Sequence, residues 1–214
     1  MTTRHVPLDH AVPDVLARGL DVVFCGINPG RRSAVAGFHF AGAGNRFWPS
    51  LYGAGFTDHL LRPADIGQLP AYGCGITNLV TRTTARADEL TRAELEAGRR
   101  ALEAKLRRFA PTWLAVLGIG AYRAAFGDRH AVLGRQARTI GTTRVWLLPN
   151  PSGLNAHYQL ADFVRHFADL RQAIARGKRD QEELAAGRVR GRSRSPEASA
   201  PGTERTRSGR APRG

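Results

Sequence analysis

The sequence is poor in the residues that form metal sites and in long apolar runs. Its 214 residues include two cysteines, Cys25 and Cys74. Two isolated cysteines cannot supply a four-ligand zinc or iron–sulfur site, so we expect buried, unreactive thiols. No apolar stretch approaches the ~20 residues that span a bilayer, and the N-terminus lacks the basic-then-apolar pattern of a signal peptide. We therefore expect no membrane partner and a cytoplasmic location, nucleoid-associated if the source is bacterial.

Acidic residues are also scarce relative to basic ones. Asp and Glu number 18 against 32 Lys and Arg, which gives a net charge of +14. Such an excess favours a polyanionic partner, nucleic acid first. Residues 176–214 hold eleven basic and five acidic residues, and the apolar periodicity disappears there. We interpret 1–175 as the folded domain and 176–214 as a basic, largely disordered tail, with room for a helical extension near residues 182–186.

An apolar run that ends in a glycine-rich turn is the most informative stretch of the chain. Val22, Val23 and Phe24 favour a strand that is buried on both faces, as in a parallel sheet. The turn Gly26-Ile27-Asn28-Pro29-Gly30 follows directly. Ligands of open α/β sheets bind at the carboxyl ends of strands, so this turn is a candidate site. An ordinary strand-to-loop junction is the alternative.

Further strands alternate with helical segments along the chain. We predict strands near 73–80, 113–118 and 145–149, a hairpin at 139–145, and a short helix near Pro13. Thr91 and Glu94 fit a capping box at the start of a helix that Pro111 stops. A terminal helix is predicted over 157–175. This alternation predicts an α/β fold, an α/β/α sandwich with a mainly parallel sheet.

The last predicted strand ends in a second turn of similar composition, Asn150-Pro151-Ser152-Gly153. The carboxyl ends of parallel strands meet at one edge of a sheet. If both turns emerge there, they face each other across one crevice.

Four segments in this order resemble one family. They are Gly26-Ile27-Asn28-Pro29-Gly30, Gly37-Phe38-His39-Phe40-Ala41, Asn45-Arg46-Phe47-Trp48 and Asn150-Pro151-Ser152-Gly153-Leu154. Together they are similar to the mismatch-specific uracil/thymine-DNA glycosylases, a branch of the uracil-DNA glycosylase superfamily, over about residues 20–175. The resemblance implies a four-stranded sheet in an α/β/α sandwich. It also implies action on deaminated bases opposite guanine, without metal or cofactor.

The resemblance implies roles for residues of the first segments. Asn28 corresponds to the residue that positions the attacking water. Gly26, Ile27 and Phe40 match base-pocket positions, with the Phe40 ring stacking on the flipped base. Ser33 lies near the pocket.

The resemblance also implies a wedge loop that enters DNA. Gly153 and Leu154 match this loop, where the leucine fills the gap left by the extruded nucleotide. Asn150, Ser152 and Asn155 would contact the DNA strand beside it. Asn155 departs from the serine of some relatives, which bears on contacts to the unpaired guanine.

The implied activity is that of a monofunctional glycosylase, which removes uracil, and by extension thymine or related lesions, from double-stranded DNA with U:G or T:G mismatches. We expect a monomer. Lysine occurs only at positions 105 and 178, and neither position suggests Schiff-base lyase chemistry. A noncatalytic protein that binds mismatches or damage through the same pocket is the main alternative. A nucleoside hydrolase is a third, which the positive charge disfavours.

Other chemical signals are weaker. Residues 26–33 lack the Gly-Lys-Ser/Thr of a phosphate-binding loop, and Ser152 lacks the context of a hydrolase nucleophile. Asp88 is either a carboxylate that assists catalysis or a solvated acid before a helix. His39 and His157 either contact DNA or are structural.

Overall fold

The computed structural model describes residues 12–192, and side chains as far as residue 186. Within these residues the sheet has five strands in the order β2-β1-β3-β5-β4. Four of them run parallel, and β4 pairs antiparallel with β5 at one edge. The strands are β1 (Val22–Gly26), β2 (Cys74–Asn78), β3 (Trp113–Leu117), β4 (Gly134–Ile140) and β5 (Thr143–Leu148).

Helices cover both faces of the sheet. They are α1 (Arg31–Ala36), α2 (Phe47–Gly53), α3 (Arg92–Phe109), α4 (Ile119–Phe126) and α5 (Leu160–Arg192), with 3₁₀ helices at Pro63–Tyr72 and Ala87–Glu89. Apolar side chains of α2 and α5 share one core with the sheet, and those of α3 and α4 share the other. The predicted α/β/α sandwich is therefore confirmed. No helix in the described part of the chain is both long and apolar enough to cross a membrane.

The central strands are apolar on both faces because each face is covered. All five residues of β1 and of β3 are buried. Phe24 packs against Phe47 of α2 and Phe167 of α5, with ring centroids 5.3 and 5.6 Å apart. Cys25 points into the opposite core, where burial raises the pKa of its thiol to about 12. This thiol is inert, as the sequence predicts.

The predicted capping box begins α3. The Thr91 hydroxyl accepts a hydrogen bond from the Glu94 amide at 3.2 Å, and the Glu94 carboxylate accepts one from the Thr91 amide at 2.8 Å. Arg82 binds the same carboxylate at 3.1 Å and, together with Thr91, lowers the pKa of Glu94 to about 2. The start of the long helix is thus fixed where the sequence places it.

Two expectations about the sheet and its lead-in were wrong. The prediction of a four-stranded sheet misses β4, because the hairpin expected at 139–145 has a first strand that begins at Gly134. The predicted helix near Pro13 does not form. Instead, Val15 exchanges two backbone hydrogen bonds with Ile76, at 2.8 and 2.9 Å, and so lies along the edge of β2.

The terminal helix is longer than the sequence predicts. Disorder was expected from residue 176, but α5 continues through Arg192 and includes the helical extension expected near 182–186. Contacts between residues divide the chain into one unit that ends at Arg176 and a second that begins at Gly177. Residues 193–214 of the predicted tail lie outside the described residues.

A glycine allows α3 to lie close to the end of β2. A Cβ on Gly98 would clash with the backbone carbonyl of Leu79, whereas a Cβ on Gly120 in α4 would meet nothing within 4 Å. We therefore expect Gly98→Ala to lower the free energy of unfolding by about 1 kcal/mol or more, since overpacking outweighs the gain in helix propensity. Denaturant unfolding measures this change.

The matched control is Gly120→Ala. Added helix propensity should leave its stability unchanged or raise it by up to ~1 kcal/mol. If both variants gain stability, α3 does not depend on the close approach at Leu79.

Candidate active site

A cleft of about 1120 Å³ opens at the carboxyl edge of the parallel strands. The parallel register places Gly26 beside Asn78, and the segments that follow β1, β3 and β5 emerge at the same edge. All ten residues to which the sequence analysis assigns a site role line this cleft: Gly26, Ile27, Asn28, Ser33, Phe40, Asn150, Ser152, Gly153, Leu154 and Asn155. The structure thus brings the two glycine-rich turns together, and the chemical roles of these residues stay predictions.

The carboxamide of Asn28 is held in one orientation. Its Nδ2 donates to the carbonyl oxygen of Arg82 at 2.8 Å and to the hydroxyl of Thr84 at 2.7 Å. The Thr84 hydroxyl in turn donates to the carbonyl of Arg86 at 2.7 Å. Because Nδ2 has two hydrogens, both are used, and Oδ1 is the atom that remains to accept a hydrogen bond from a ligand or water.

Phe40 adopts a backbone conformation that is rare for a residue with a side chain. Its φ is +54°, in the left-handed region. The ring stacks on Phe47 with centroids 4.2 Å apart, which offsets the strain of this conformation. Strain of this kind is concentrated at binding sites, so Phe40 is a strong candidate for contact with a ligand.

Gly26 is the point at which the pocket wall meets the sheet. A Cβ there would clash with Oδ1 of Asn78 and would lie 3.2 Å from Cζ of Phe40. Only glycine lets these two side chains approach the end of β1 so closely.

Ser33 and Ile27 shape the pocket through packing and loop contacts. The buried hydroxyl of Ser33 accepts a hydrogen bond from the amide of Ala41 at 3.1 Å, so it fixes the loop that carries Phe40. Ile27 is half-buried and packs against the core that α3 and α4 share with the sheet. Its side chain also lies next to Gly118, where an added Cβ would be 3.0 Å from Cδ1 of Ile27. Both residues therefore support the cleft as well as line it.

Asn78 and His39 form a buried polar pair. The sequence analysis leaves His39 as either a DNA contact or a structural residue and gives no role to Asn78. Nε2 of His39 lies 3.0 Å from the carbonyl oxygen of Pro13 and must donate to it. Nδ1 then accepts a long hydrogen bond, 3.4 Å, from Nδ2 of Asn78. Burial lowers the pKa of His39 below its ordinary 6.5, so the ring is neutral. An amide side chain at the end of a predicted buried strand was the available signal for Asn78.

The second turn is braced by its own side chains. Asn150 accepts from the amide of Ser152 at 3.1 Å and Asn155 donates to the carbonyl of Asn150 at 2.9 Å. The Ser152 hydroxyl accepts from the amide of Leu154 at 3.2 Å. The Leu154 side chain is 78% exposed. The loop therefore presents the large apolar side chain of Leu154 to solvent at the mouth of the cleft.

The cleft carries more basic than acidic groups. Arg31, Arg32, Arg86 and His157 line it, and Asp88 is the one carboxylate among its described lining residues. Arg86 binds Asp88 at 2.7 Å and holds the pKa of this carboxyl below its usual value. This exposed ion pair favours the interpretation of Asp88 as a solvated acid. Within residues 12–192 no His, Cys, Asp and Glu side chains are grouped to hold a metal ion.

The family model described as "Uracil DNA glycosylase superfamily" matches residues 13–174, most of the described chain. The chain belongs to this superfamily. The match spans β1 through the first half of α5 and contains every described residue that lines the cleft except Val12. Membership supports a DNA glycosylase activity in general.

A cleft with an excess of basic groups is compatible with the DNA substrates of this superfamily. DNA is a polyanion, and an enzyme that cleaves a base from it must first bring the nucleotide out of the helix. The sequence analysis gives no role to Asn78 and Thr84 and leaves His39 as either a DNA contact or a structural residue. The positions of all three depend on contacts between distant segments.

The neutral state of His39 predicts a pH dependence of stability. In the unfolded chain this histidine takes up a proton as the pH falls through about 6.5, whereas burial keeps it neutral in the folded protein. The unfolded state then binds more protons, so the free energy of unfolding decreases below pH 6.5, by up to about 1.4 kcal/mol per pH unit. Replacement of His39 by Gln should flatten the dependence between pH 7 and 5, measured by denaturant unfolding.

His130 supplies the control, because its side chain is exposed. His130→Gln should leave the slope of stability against pH unchanged. Equal slopes for wild type and His39→Gln would show that His39 is protonated in the folded protein.

Proposed function

We propose that the protein is a monofunctional, mismatch-specific uracil-DNA glycosylase that acts as a monomer on double-stranded DNA. Its substrates are uracil, and by extension thymine or related lesions, opposite guanine. The observation that carries the proposal is the fixed Asn28 carboxamide, which shares a cleft with the Phe40 ring and the exposed Leu154. These groups supply a water-binding atom, an aromatic platform and a wedge.

Substrate binding begins with extrusion of the nucleotide from the duplex. Unstacking and unpairing cost a few kcal/mol, least at a mismatch. Leu154 is apolar and 78% exposed at the mouth of the cleft, so it can occupy the space that the base leaves. Arg31 and Arg32 are exposed on α1 at the cleft, have no ion pair among the described residues, and would bind phosphates of the DNA backbone.

The extruded base would enter between the aromatic platform and the end of β2. The Phe40 ring, held by Phe47, offers a face for stacking. Asn78 carries a donor and an acceptor on one carboxamide, which matches the N3–H and O4 of uracil. Its pairing with His39 directs Nδ2 to the ring nitrogen and leaves Oδ1 on the side of Gly26.

Bond cleavage follows from water held by Asn28. Oδ1 accepts a hydrogen bond from the water, whose oxygen forms a bond to C1′ of the sugar. The C1′–N1 bond breaks, its electron pair leaves with the base, and the water loses a proton to solvent. An amide cannot take up this proton at neutral pH, so the rate depends on the stability of the uracil anion. The positive charge of the cleft rim favours that anion.

The positions of the lysines argue against a lyase step after hydrolysis. Lys105 is bound to Asp14 at 2.6 Å and donates to the Thr77 hydroxyl at 3.2 Å. Neither Lys105 nor Lys178 is among the described residues that line the cleft. A Schiff base with the sugar would need an amine within reach of C1′.

A noncatalytic mismatch-binding protein is the alternative. The ion-paired state of Asp88 favours it, because the described cleft then contains no carboxylate free to act as a base. Base release from U:G, T:G, U:A and single-stranded substrates separates the two. An enzyme leaves abasic sites, whereas a binding protein only retards the duplex in a gel. Cleavage of free uridine would instead indicate a nucleoside hydrolase.

Asn28→Ala tests the catalytic assignment directly. It removes the water's partner but leaves the Phe40 platform and Leu154, so single-turnover excision from a U:G duplex should fall by ~10²–10⁴. Affinity for the duplex should stay within a few-fold, since phosphate contacts dominate binding. Excision close to wild type, in a preparation free of other glycosylases, would refute the role of Asn28.

Thr84→Val tests whether the orientation of Asn28 matters. The change keeps the side chain's shape but removes the acceptor for one Nδ2 hydrogen, so excision should slow by about tenfold or more. Thr83 is the matched control, because its buried hydroxyl has no hydrogen-bond partner among the described residues. Thr83→Val should leave single-turnover excision unchanged. Equal rates for both variants would contradict an orienting role for Thr84.

A further inference from the structure

Arg46 links the loop that carries the exposed leucine to the base pocket. It directly precedes α2, and its backbone amide donates to the carbonyl of Pro151 at 2.9 Å. Its side chain then continues across the loop that follows β5. A single residue therefore contacts this loop through both its backbone and its guanidinium.

The guanidinium binds three carbonyl oxygens of the loop. Nη1 donates to Tyr158 at 2.6 Å, and Nη2 donates to Asn155 at 2.7 Å and to Ser152. The guanidinium carbon also lies 4.7 Å from the centre of the Phe163 ring. These carbonyls are on both sides of Leu154, so the cation fixes the backbone from which the leucine projects.

The chemistry of this contact is specific to arginine. The partners described for Arg46 are carbonyl oxygens and an aromatic face, and a planar fork of N–H donors satisfies several of these at once. A lysine would bring a point charge with no fixed plane. Nε of Arg46 is buried and has no hydrogen-bond partner among the described residues, so one donor of the fork is left unsatisfied.

The neighbours of Arg46 hold the pocket side. Phe47 stacks on Phe40 at 4.2 Å, and the indole nitrogen of Trp48 donates to the carbonyl of His39 at 3.3 Å. The Asn45 carboxamide accepts from the amide of Phe47 at 2.9 Å. The short segment 45–48 thus contacts both the Phe40 platform and the loop that carries Leu154.

A close backbone approach adds a second connection. A Cβ on Gly153 would lie 3.1 Å from the carbonyl oxygen of Gly44 and 3.4 Å from that of Ala43. The loop after β5 therefore lies directly against the segment that leads into Arg46.

We propose that Arg46 is a positioning residue that sets the Leu154 wedge at a fixed place relative to the Phe40 platform. This inference rests on the proposed glycosylase function. In duplex DNA Leu154 must fill the gap in the helix while the extruded base occupies the pocket. If Leu154 is displaced, the nucleotide does not reach the water that Asn28 holds. A single strand needs no wedge, and Arg46 should matter little there.

The test compares Arg46→Lys with Arg165→Lys in single-turnover excision. Arg165 lies on α5 in an exposed ion pair with Asp162, so its variant is the matched control. Arg46→Lys should slow excision from a U:G duplex by about 10²-fold, the usual effect of a misplacement near 1 Å. Excision from single-stranded uracil should change by only a few-fold, and Arg165→Lys should match wild type on both substrates.

A double-mutant cycle with Leu154→Ala tests whether Arg46 acts through the wedge. If it does, Arg46→Lys should add little to the loss that Leu154→Ala already causes on the duplex. Independent, additive losses would overturn the proposal. Equal losses on duplex and single strand would also overturn it, since Arg46 would then support the whole site.

Two further measurements keep the test decisive. Gly153→Ala displaces the same loop by placing a Cβ against the carbonyl of Gly44. It should slow excision from the duplex and leave excision from single strands unchanged. This variant tests the position of the loop if Arg46→Lys does not fold. A 2-aminopurine beside the uracil reports extrusion by its fluorescence, independently of base release. If wild type releases no base, the glycosylase proposal fails. An extrusion signal reduced by Arg46→Lys but not by Arg165→Lys would still support positioning, and equal signals would refute it.

Discussion

The absence of a side chain at Gly26 is the constraint on which the cleft depends. Its register partner in β2 is Asn78, whose carboxamide oxygen occupies the space where a Cβ would be, with the Phe40 ring close beside it. A larger residue would push the pocket wall away from the strand end. The neutral His39 behind Asn78 and the stacked Phe47 behind Phe40 then complete the wall. The site thus combines neutral groups inside with positive charge at its rim.

Apolar patterning and capping explain how much of the fold could be predicted. The buried runs of β1 and β3 and the capping box of α3 appear in the structure as expected. Strand β4 was missed because its side chains are mostly polar and exposed, and backbone pairing with β5 specifies it. The extension of α5 beyond residue 175 was predicted only near residues 182–186, because a solvated helix needs no apolar stripe.

The candidate site was predictable where local sequence determines it. The turn at Asn28 and the loop at Leu154 are marked by glycine and proline, and the structure places both in one cleft. The orientation of Asn28 was not predictable, since its partner Thr84 lies 56 residues away. The left-handed conformation of Phe40 depends on tertiary packing and has no signature in the sequence. Strands, helices and turns could be predicted from local sequence patterns. The orientation of the side chains in the site depends on contacts that form only when distant segments come together.

The two edges of the sheet have a consequence for self-association. Along β2, the lead-in at Val15 occupies the backbone donor and acceptor of Ile76. At the other edge lies β4, a strand with an irregular register that displays Arg135 and Arg138 to solvent. An open, flat strand would be a template for another chain, and natural sheets avoid it by covering, bending or charging their edges. All three devices are present in the described sheet, with cover at Ile76 and an irregular, charged strand at β4, and they disfavour β-addition by another chain.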